Sequence, residues 1–238
     1  MFARLKLQSD AGLAHRLDPA YHHPAWDRLL GACRLPLARL GEFIEHITYG
    51  PIITGPKAEP LDRGIRVIHQ GQVASTGVDP RGARFVAPGS PWDLERVRLL
   101  PGDIVFPRSG VAGVGKNRAA VFLGSYDAVV GSFVDLIRLR ELDPCYALLC
   151  LKTELVWAQI YRIINGVGTP NISFSEISSL QLPMASEHVQ RALADEFRQI
   201  VHPLHLRWVA GDESAGEQAR RRLSQLVQKL DGMVFPNG

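Results

Sequence analysis

The stretch "SGVAGVGKNRAA", residues 109–120, decides how the middle of this chain is read. From Gly110 it runs G-x-x-x-x-G-K and then Asn117, one residue short of the phosphate-binding loop G-x-x-x-x-G-K-[ST]. That loop works because a strand feeds glycine-rich backbone N–H groups into the start of a helix. Its Ser or Thr hydroxyl then ligates magnesium. Here "DIVFPR" supplies a strand, but Asn117 replaces the hydroxyl, and the next residues, "RAAVFLGS", have the pattern of a strand, not of a helix. The competing reading is a hairpin connection in which glycines permit positive φ. We read the stretch as the hairpin. A nucleotide hydrolase built on residues 110–117 stands as the alternative.

Working outward, the segment from Leu40 to Arg140 alternates short apolar runs with Gly, Pro and Asp. "EFIEHITYG", "GIRVIHQGQV", "GDIVFPRSG", "AAVFLGS" and "FVDLIRLR" read as strands. "SPWDLERVRL" reads as a short helix, with Ser90 at the N-cap, Pro91 at the first position and Asp93 at N3. A helix is expected from Pro24 to Cys33, and a stronger one over residues 143–164, from Asp-Pro to Asn165-Gly166. "GVGTPNISFSEISSLQLP" reads as a loop, a short turn and a last strand ending at Pro183. Beyond it, Val189, Leu193, Phe197, Ile200, Val201 and Leu204 recur at helical spacing, with a kink expected at Pro203. "GDESAGEQ" reads as a polar break. Leu223, Leu226, Val227 and Leu230 then form a narrow 3-4 seam. The fold class is therefore α+β: a mixed, mainly antiparallel sheet domain with flanking helices over residues 1–185, and a helical, coiled-coil-like tail over residues 186–238.

Composition narrows the classes. Apolar residues make up 46% of the 238 and charged residues 21%, which suits a globular chain with a real core. No apolar run reaches the length of a membrane span, and "MFARLKLQSDAG" lacks the apolar centre of a signal peptide, so a cytoplasmic protein is expected. Cys33, Cys145 and Cys150 are too few and too scattered for a disulfide framework or a zinc site. A net charge of +3 permits a nucleic-acid partner without demanding one. Two motifs fade on inspection. "DPAY" at 18–21 resembles the D-P-P-Y of N6-adenine methyltransferases but lacks the second proline and any upstream glycine-rich cofactor strand. His22 and His23 are adjacent and point apart, with no third ligand at a useful spacing. No metal and no cofactor is expected.

The order of the pieces resembles a known family. "LPLARLGEFIEHITYGP" precedes "GIRVIHQGQV", then "LLPGDIVFPRSGVAGVGKNRAAVF", then "DPCYALLCLKTELVWAQIYRIINGVGTPNISFSEISSLQLPMASEHVQRALADEF". This is similar to a target recognition domain of a type I restriction-modification specificity subunit. There a "gDil…G…iGk…v" hairpin is followed by a helix, a Gly-rich loop, an "is…l..i.iP" segment and the helix that opens the spacer. The likeness covers about residues 35–200. It implies a non-enzymatic chain that binds double-stranded DNA sequence-specifically and directs a DNA adenine methyltransferase subunit, and in some systems a nuclease subunit, on other chains. Specificity subunits carry two recognition domains; this chain has room for one, so it resembles a half subunit or a single-domain relative. The apolar seam of the C-terminal helices must pack on the chain's own body or on a partner; a homodimer through it is favoured and would supply the second domain, with Arg220, Arg221 and Arg222 on its outer face. The leader "RLDPAYHHP" resembles leaders of recognition domains in adenine methyltransferase systems.

The resemblance also gives the glycine loop a purpose other than nucleotide binding. Arg108, Ser109, Lys116, Asn117 and Arg118 become candidate DNA contacts, since Arg can pair with guanine O6/N7 or clamp a phosphate. The polar segment with His69, Gln70 and Gln72 places the glutamine amides for reading adenine. Thr169, Asn171 and Ser173 offer hydroxyl and amide groups on a loop, and Lys57 joins the candidates. A third reading makes the tail the working part of an assembly protein and leaves these loops merely solvated.

Overall fold

A computed structural model of the chain describes residues 24–53, 62–110, 113–164 and 171–235. In chain order these form α1 (Ala25–Ala32), β1 (Leu37–Arg39), β2 (Ile44–Tyr49), β3 (Ile65–Ile68), β4 (Val73–Ala74), β5 (Gly77–Val78) and β6 (Arg84–Val86). Then come β7 (Ile104–Pro107), β8 (Ala120–Val121), β9 (Ala128–Val130), β10 (Val134–Leu139), α2 (Pro144–Lys152) and α3 (Glu154–Ile163). The chain continues with α4 (Phe174–Ser179), β11 (Gln181–Pro183), α5 (Glu187–Glu196), α6 (His202–Val209) and α7 (Glu213–Val234).

The main sheet has the order β2-β10-β7-β8 and is antiparallel throughout. Its central strand, "VDLIRL", does not alternate apolar with polar, because both faces are covered. Val134 and Leu136 belong to one core, with Val67, Val86 and Val129 of the second sheet, β6-β3-β9. Ile137 faces the opposite way, into a larger core with the helices. The second sheet is mixed: β3 runs antiparallel to β6 and parallel to β9. The architecture is thus α+β, with mainly antiparallel sheets, flanking helices and a long C-terminal helix.

α2 is the hub of the larger core. Asp143 caps it by accepting from the N–H of Cys145 (2.8 Å), and Pro144 sits in its first turn. Every residue from Cys145 to Leu151 is buried, as an all-round apolar helix requires. Burial pushes the thiols of Cys145 and Cys150 up to about 12, so neither is a nucleophile at neutral pH. The expected single helix over 143–164 is in fact two. Thr153 has extended backbone; its Oγ1 donates to the Cys150 carbonyl (2.6 Å) and accepts from the Val156 N–H, ending one helix and capping the next.

Three further expectations need correction. "SPWDLERVRL" makes no α-helix, only a 3-10 turn over Glu95–Val97. The Asp93 carboxylate caps no helix there. It accepts from the Gly89 N–H (2.8 Å) and pairs with Arg98 (2.7 Å), closing a local turn. The polar break is shorter than expected. Gly211 turns the chain at φ +106°, Asp212 caps α7, and "ESAGEQ" is already helical. Where a kink is expected near Pro203, the chain instead has a π-helical stretch, Phe197–Val201, just before α6. A π turn accommodates the carbonyl that a proline four residues on would otherwise strike.

The seam assigned to a second copy of the chain packs inside this one. Leu193, Phe197, Leu223, Leu226 and Leu230 are buried in the same core as α2, joined by Val201. Val227 packs against that core, and Ile200 and Leu204 are half-buried. A 3-4 seam records only that a helix has an apolar side, and here that side faces the chain's own body. No helix among the described residues is long and apolar enough to cross a membrane.

Candidate nucleic-acid interface

Where β2 ends and β10 begins, the main sheet collects most of the candidate contacts. β7 stops at Pro107, and the next residue, Arg108, donates its N–H to the Phe133 carbonyl (3.0 Å). The Arg108 guanidinium packs against the rings of Tyr49 and Phe174, 5.0 and 5.2 Å from their centroids, and the two rings meet each other at 5.8 Å. Its Nη2 donates to the Ile172 carbonyl (3.4 Å). Its Nη1 stands 3.6 Å from Oδ1 of Asp135, an ion-pair distance beyond hydrogen-bond reach. Asp135 is fully buried, and neither of its oxygens accepts a hydrogen bond. Burial pushes its carboxyl up to about 7, against the opposing pull of Arg108. Only 19% of the Arg108 side chain remains exposed, so much of its bonding capacity is turned inward.

Ser109 is buried and forms a backbone bridge with Asn171, which fastens the 171–174 segment to the end of β7. Asn171 is exposed, and its Oδ1 accepts from the Ile172 N–H (2.9 Å). Ser173 caps α4 in a reciprocal box with Glu176. On the other flank, Gln70 donates from Nε2 to the Phe133 carbonyl (3.1 Å). The His69 ring packs where a side chain at Gly131 would otherwise stand. Burial, helped by Arg84, holds His69 below its ordinary value, so it is neutral. Gln72 turns back, its Oε1 accepting from the His69 N–H (3.2 Å) to cap a 3-10 turn.

The glycine loop divides between two places. Its first part lies over the site: a side chain at Gly113 would come within 3.0 Å of Gln70 Oε1. Its second part is tied to the C-terminal end of α2. Asn117 takes the left-handed conformation (φ 45°) and donates from Nδ2 to the Leu151 carbonyl (2.8 Å). The half-buried Lys152 donates to the carbonyls of Asn117 (3.1 Å) and Ala119 (2.8 Å), and burial pushes its amine down to about 7. Lys116, at the end of a 3-10 turn, is exposed, and Arg118 is partly so. The loop then runs into β8, which pairs antiparallel with β7, as a hairpin requires. No helix N-terminus stands where a phosphate loop would need one.

The fold thus brings His69, Gln70, Arg108, Ser109, Asn171 and Ser173 into one neighbourhood and sets Lys116, Asn117 and Arg118 apart from it. Lys57, Thr169, the "DPAY" stretch and His22 and His23 lie outside the described residues. Two residues that sequence reasoning passed over are central here. Tyr49 and Phe133 read as ordinary strand positions, yet they are 48% and 55% exposed. Nothing in the local pattern marks them, since an aromatic at a strand end is as often buried.

No protein-family model matches the chain, and no curated protein matches it. Among solved structures, the type IIG restriction endonuclease BpuSI is similar at a TM-score of 0.54 and 10% identity, over 91% of this chain and 34% of that one. The S subunit of a type I restriction-modification system from M. genitalium is similar at 0.48 and 16% identity, over 73% and 41%. The HsdS subunit from Thermoanaerobacter tengcongensis is similar at 0.48 and 14% identity, over 92% and 51%. The chain therefore spans from about a third to about half of the length of these structures. At such identities the likeness to BpuSI is one of fold, and the two S-subunit likenesses stand as similarity alone.

Proposed function

We propose that this chain is a sequence-specific DNA-recognition unit of a restriction-modification, or related DNA-methylation defence, system. It does no chemistry of its own and directs a partner adenine methyltransferase on another chain, with a nuclease chain where the system has one. The observation that carries the reading is the cluster around Arg108 and Phe133, where amides, a guanidinium and exposed aromatic rings share one rim. Such a rim suits duplex DNA, where amides read base edges and apolar groups meet the thymine methyl, with the guanidinium holding the rim together. Two facts support it: the family order of the sequence motifs, and a fold shared with part of a restriction endonuclease. In this reading residues 1–185 recognise the target and residues 186–238 set its spacing to a second recognition unit, from another copy or another chain. Lys116, exposed on the hairpin loop, contacts a phosphate; Arg108 acts chiefly by positioning the residues it holds.

The test is fluorescence anisotropy of the full chain with random-sequence duplex DNA across a salt series. Binding is expected, with a log–log slope that Lys116→Ala flattens by about 0.9, the share of one neutralised phosphate. A chain that binds no duplex at low salt would overturn the reading.

A further inference from the structure

Phe133 is in a place where its own folding gains it little. Its φ is +65°, a conformation that glycine or asparagine adopts with ease and a bulky side chain does not. The residue is 55% exposed, so burial does not offset the strain. Among the described residues no ring stacks on it. Yet the turn beneath it is tightly built. Its carbonyl accepts from Gln70 Nε2 (3.1 Å) and from the Arg108 N–H (3.0 Å). The Gly131 N–H donates to the Ile68 carbonyl (2.9 Å), and the Val134 N–H to the Gly131 carbonyl (3.4 Å). The His69 ring fills the space beside Gly131, and the Val130 carbonyl fills that beside Gly50, so neither glycine has room for a side chain. All of these bonds hold the backbone at 131–134, and none requires an aromatic side chain at 133. The fold presents a rigid mount with a large apolar ring projecting from it.

We propose that Phe133 is an apolar wedge that enters one base step of the bound duplex and decides sequence preference at that step. The proposal rests on the DNA-recognition reading above. Phenylalanine wedges partly unstack a step and kink the duplex, at a cost that depends on which bases must part. Pyrimidine–purine steps part most easily, so the wedge selects them without a hydrogen bond to either base.

The experiment is selection of bound sites from a random duplex pool by the full-length chain, by Phe133→Gly and by Phe133→Asn. Both substitutions suit positive φ and remove the ring. The selected wild-type sites should contain a pyrimidine–purine step whose preference falls about tenfold in both variants, the scale of one mismatched base pair. Affinity for unselected duplex, which phosphate contacts chiefly set, should fall by a smaller factor than affinity for the selected sites. The thermal midpoint of Phe133→Gly should be unchanged or higher, and 2-aminopurine at the selected step should brighten with wild type alone. An unaltered site preference in both variants overturns the wedge and leaves DNA recognition standing. So does a drop in thermal midpoint in both variants, which would make the ring structural. If the wild-type chain binds no duplex, the recognition reading fails and the wedge with it.

Discussion

At Arg108 a planar cation packs against two touching aromatic rings and beside a buried carboxylate. Each ring contact is worth about 0.5–2 kcal/mol, depending on desolvation. The carboxylate below is another matter, because Asp135 has lost its water and gained no hydrogen bond in return. Its pKa rises from 3.8 to about 7, chiefly by burial. A carboxyl whose folded pKa is raised binds its proton more tightly in the native state than in the unfolded chain. Its contribution to stability is therefore complete below the unfolded value and is lost as pH rises through the folded one. Wild type should lose stability from this group between about pH 4 and pH 7, on the order of a few kcal/mol. Asp135→Asn should flatten that part of the profile and be the more stable protein at pH 8, as read by urea midpoints at a series of pH values. Parallel profiles for the two proteins would mean that Asp135 stays ionised and is better paired than its geometry implies. That Arg108 and Ser109 follow the end of a strand and precede a glycine turn was legible in the sequence. The place of Asp135 was not, because an acid inside an apolar strand looks the same in sequence whether it faces solvent or a cation from another strand.

At the level of elements, contacts across the fold decide what each segment becomes. The turn between β4 and β5 is joined to α6 by His205. Its Nε2 donates to the Val78 carbonyl (3.0 Å), and its Nδ1 pairs with Thr76 Oγ1 (3.0 Å). Burial holds the imidazole below its ordinary value, so this tie weakens as pH falls below about 6.5, opposite in sign to Asp135. Gly77 lies under the ring, where an added Cβ would stand 2.6 Å from His205 Cδ2. Gly77→Ala should therefore cost about 1–3 kcal/mol by overpacking. In a double-mutant cycle His205→Ala should recover part of that loss, with a coupling of about 1 kcal/mol or more. Additive effects would show that the turn can shift away from α6. The same logic explains the misread helices. A window of sequence shows apolar spacing over 143–164, but Thr153 bonds to its own neighbours and divides it. Asp93 looks like part of a helix start until Arg98 and Gly89 claim its carboxylate.

For the whole molecule, the helices after Pro183 complete the core against which α2 is buried. Leu193, Phe197, Val201, Leu223, Leu226 and Leu230 each remove apolar surface worth about 1.5–3 kcal/mol when fully buried. Together they rival the roughly 5–15 kcal/mol of net stability that an ordinary domain has. A chain ending at Pro183 should accordingly show no cooperative thermal transition and should bind a hydrophobic dye, while the full chain melts cooperatively. A truncated chain that melts like the full one would make the tail an accessory. The sequence by itself determined the strands of the main sheet, the helix start at Asp143-Pro144, and the choice of a hairpin over a phosphate loop at 109–120. Those follow from period, from turn chemistry and from one missing hydroxyl, all within a short window of chain. Tertiary structure alone decided which way the apolar face of the tail turns, that Arg108 points inward to Asp135, and that Phe133 is left in solvent. Each depends on what another segment brings to the same place, and a side chain's type does not encode the burial of its neighbours.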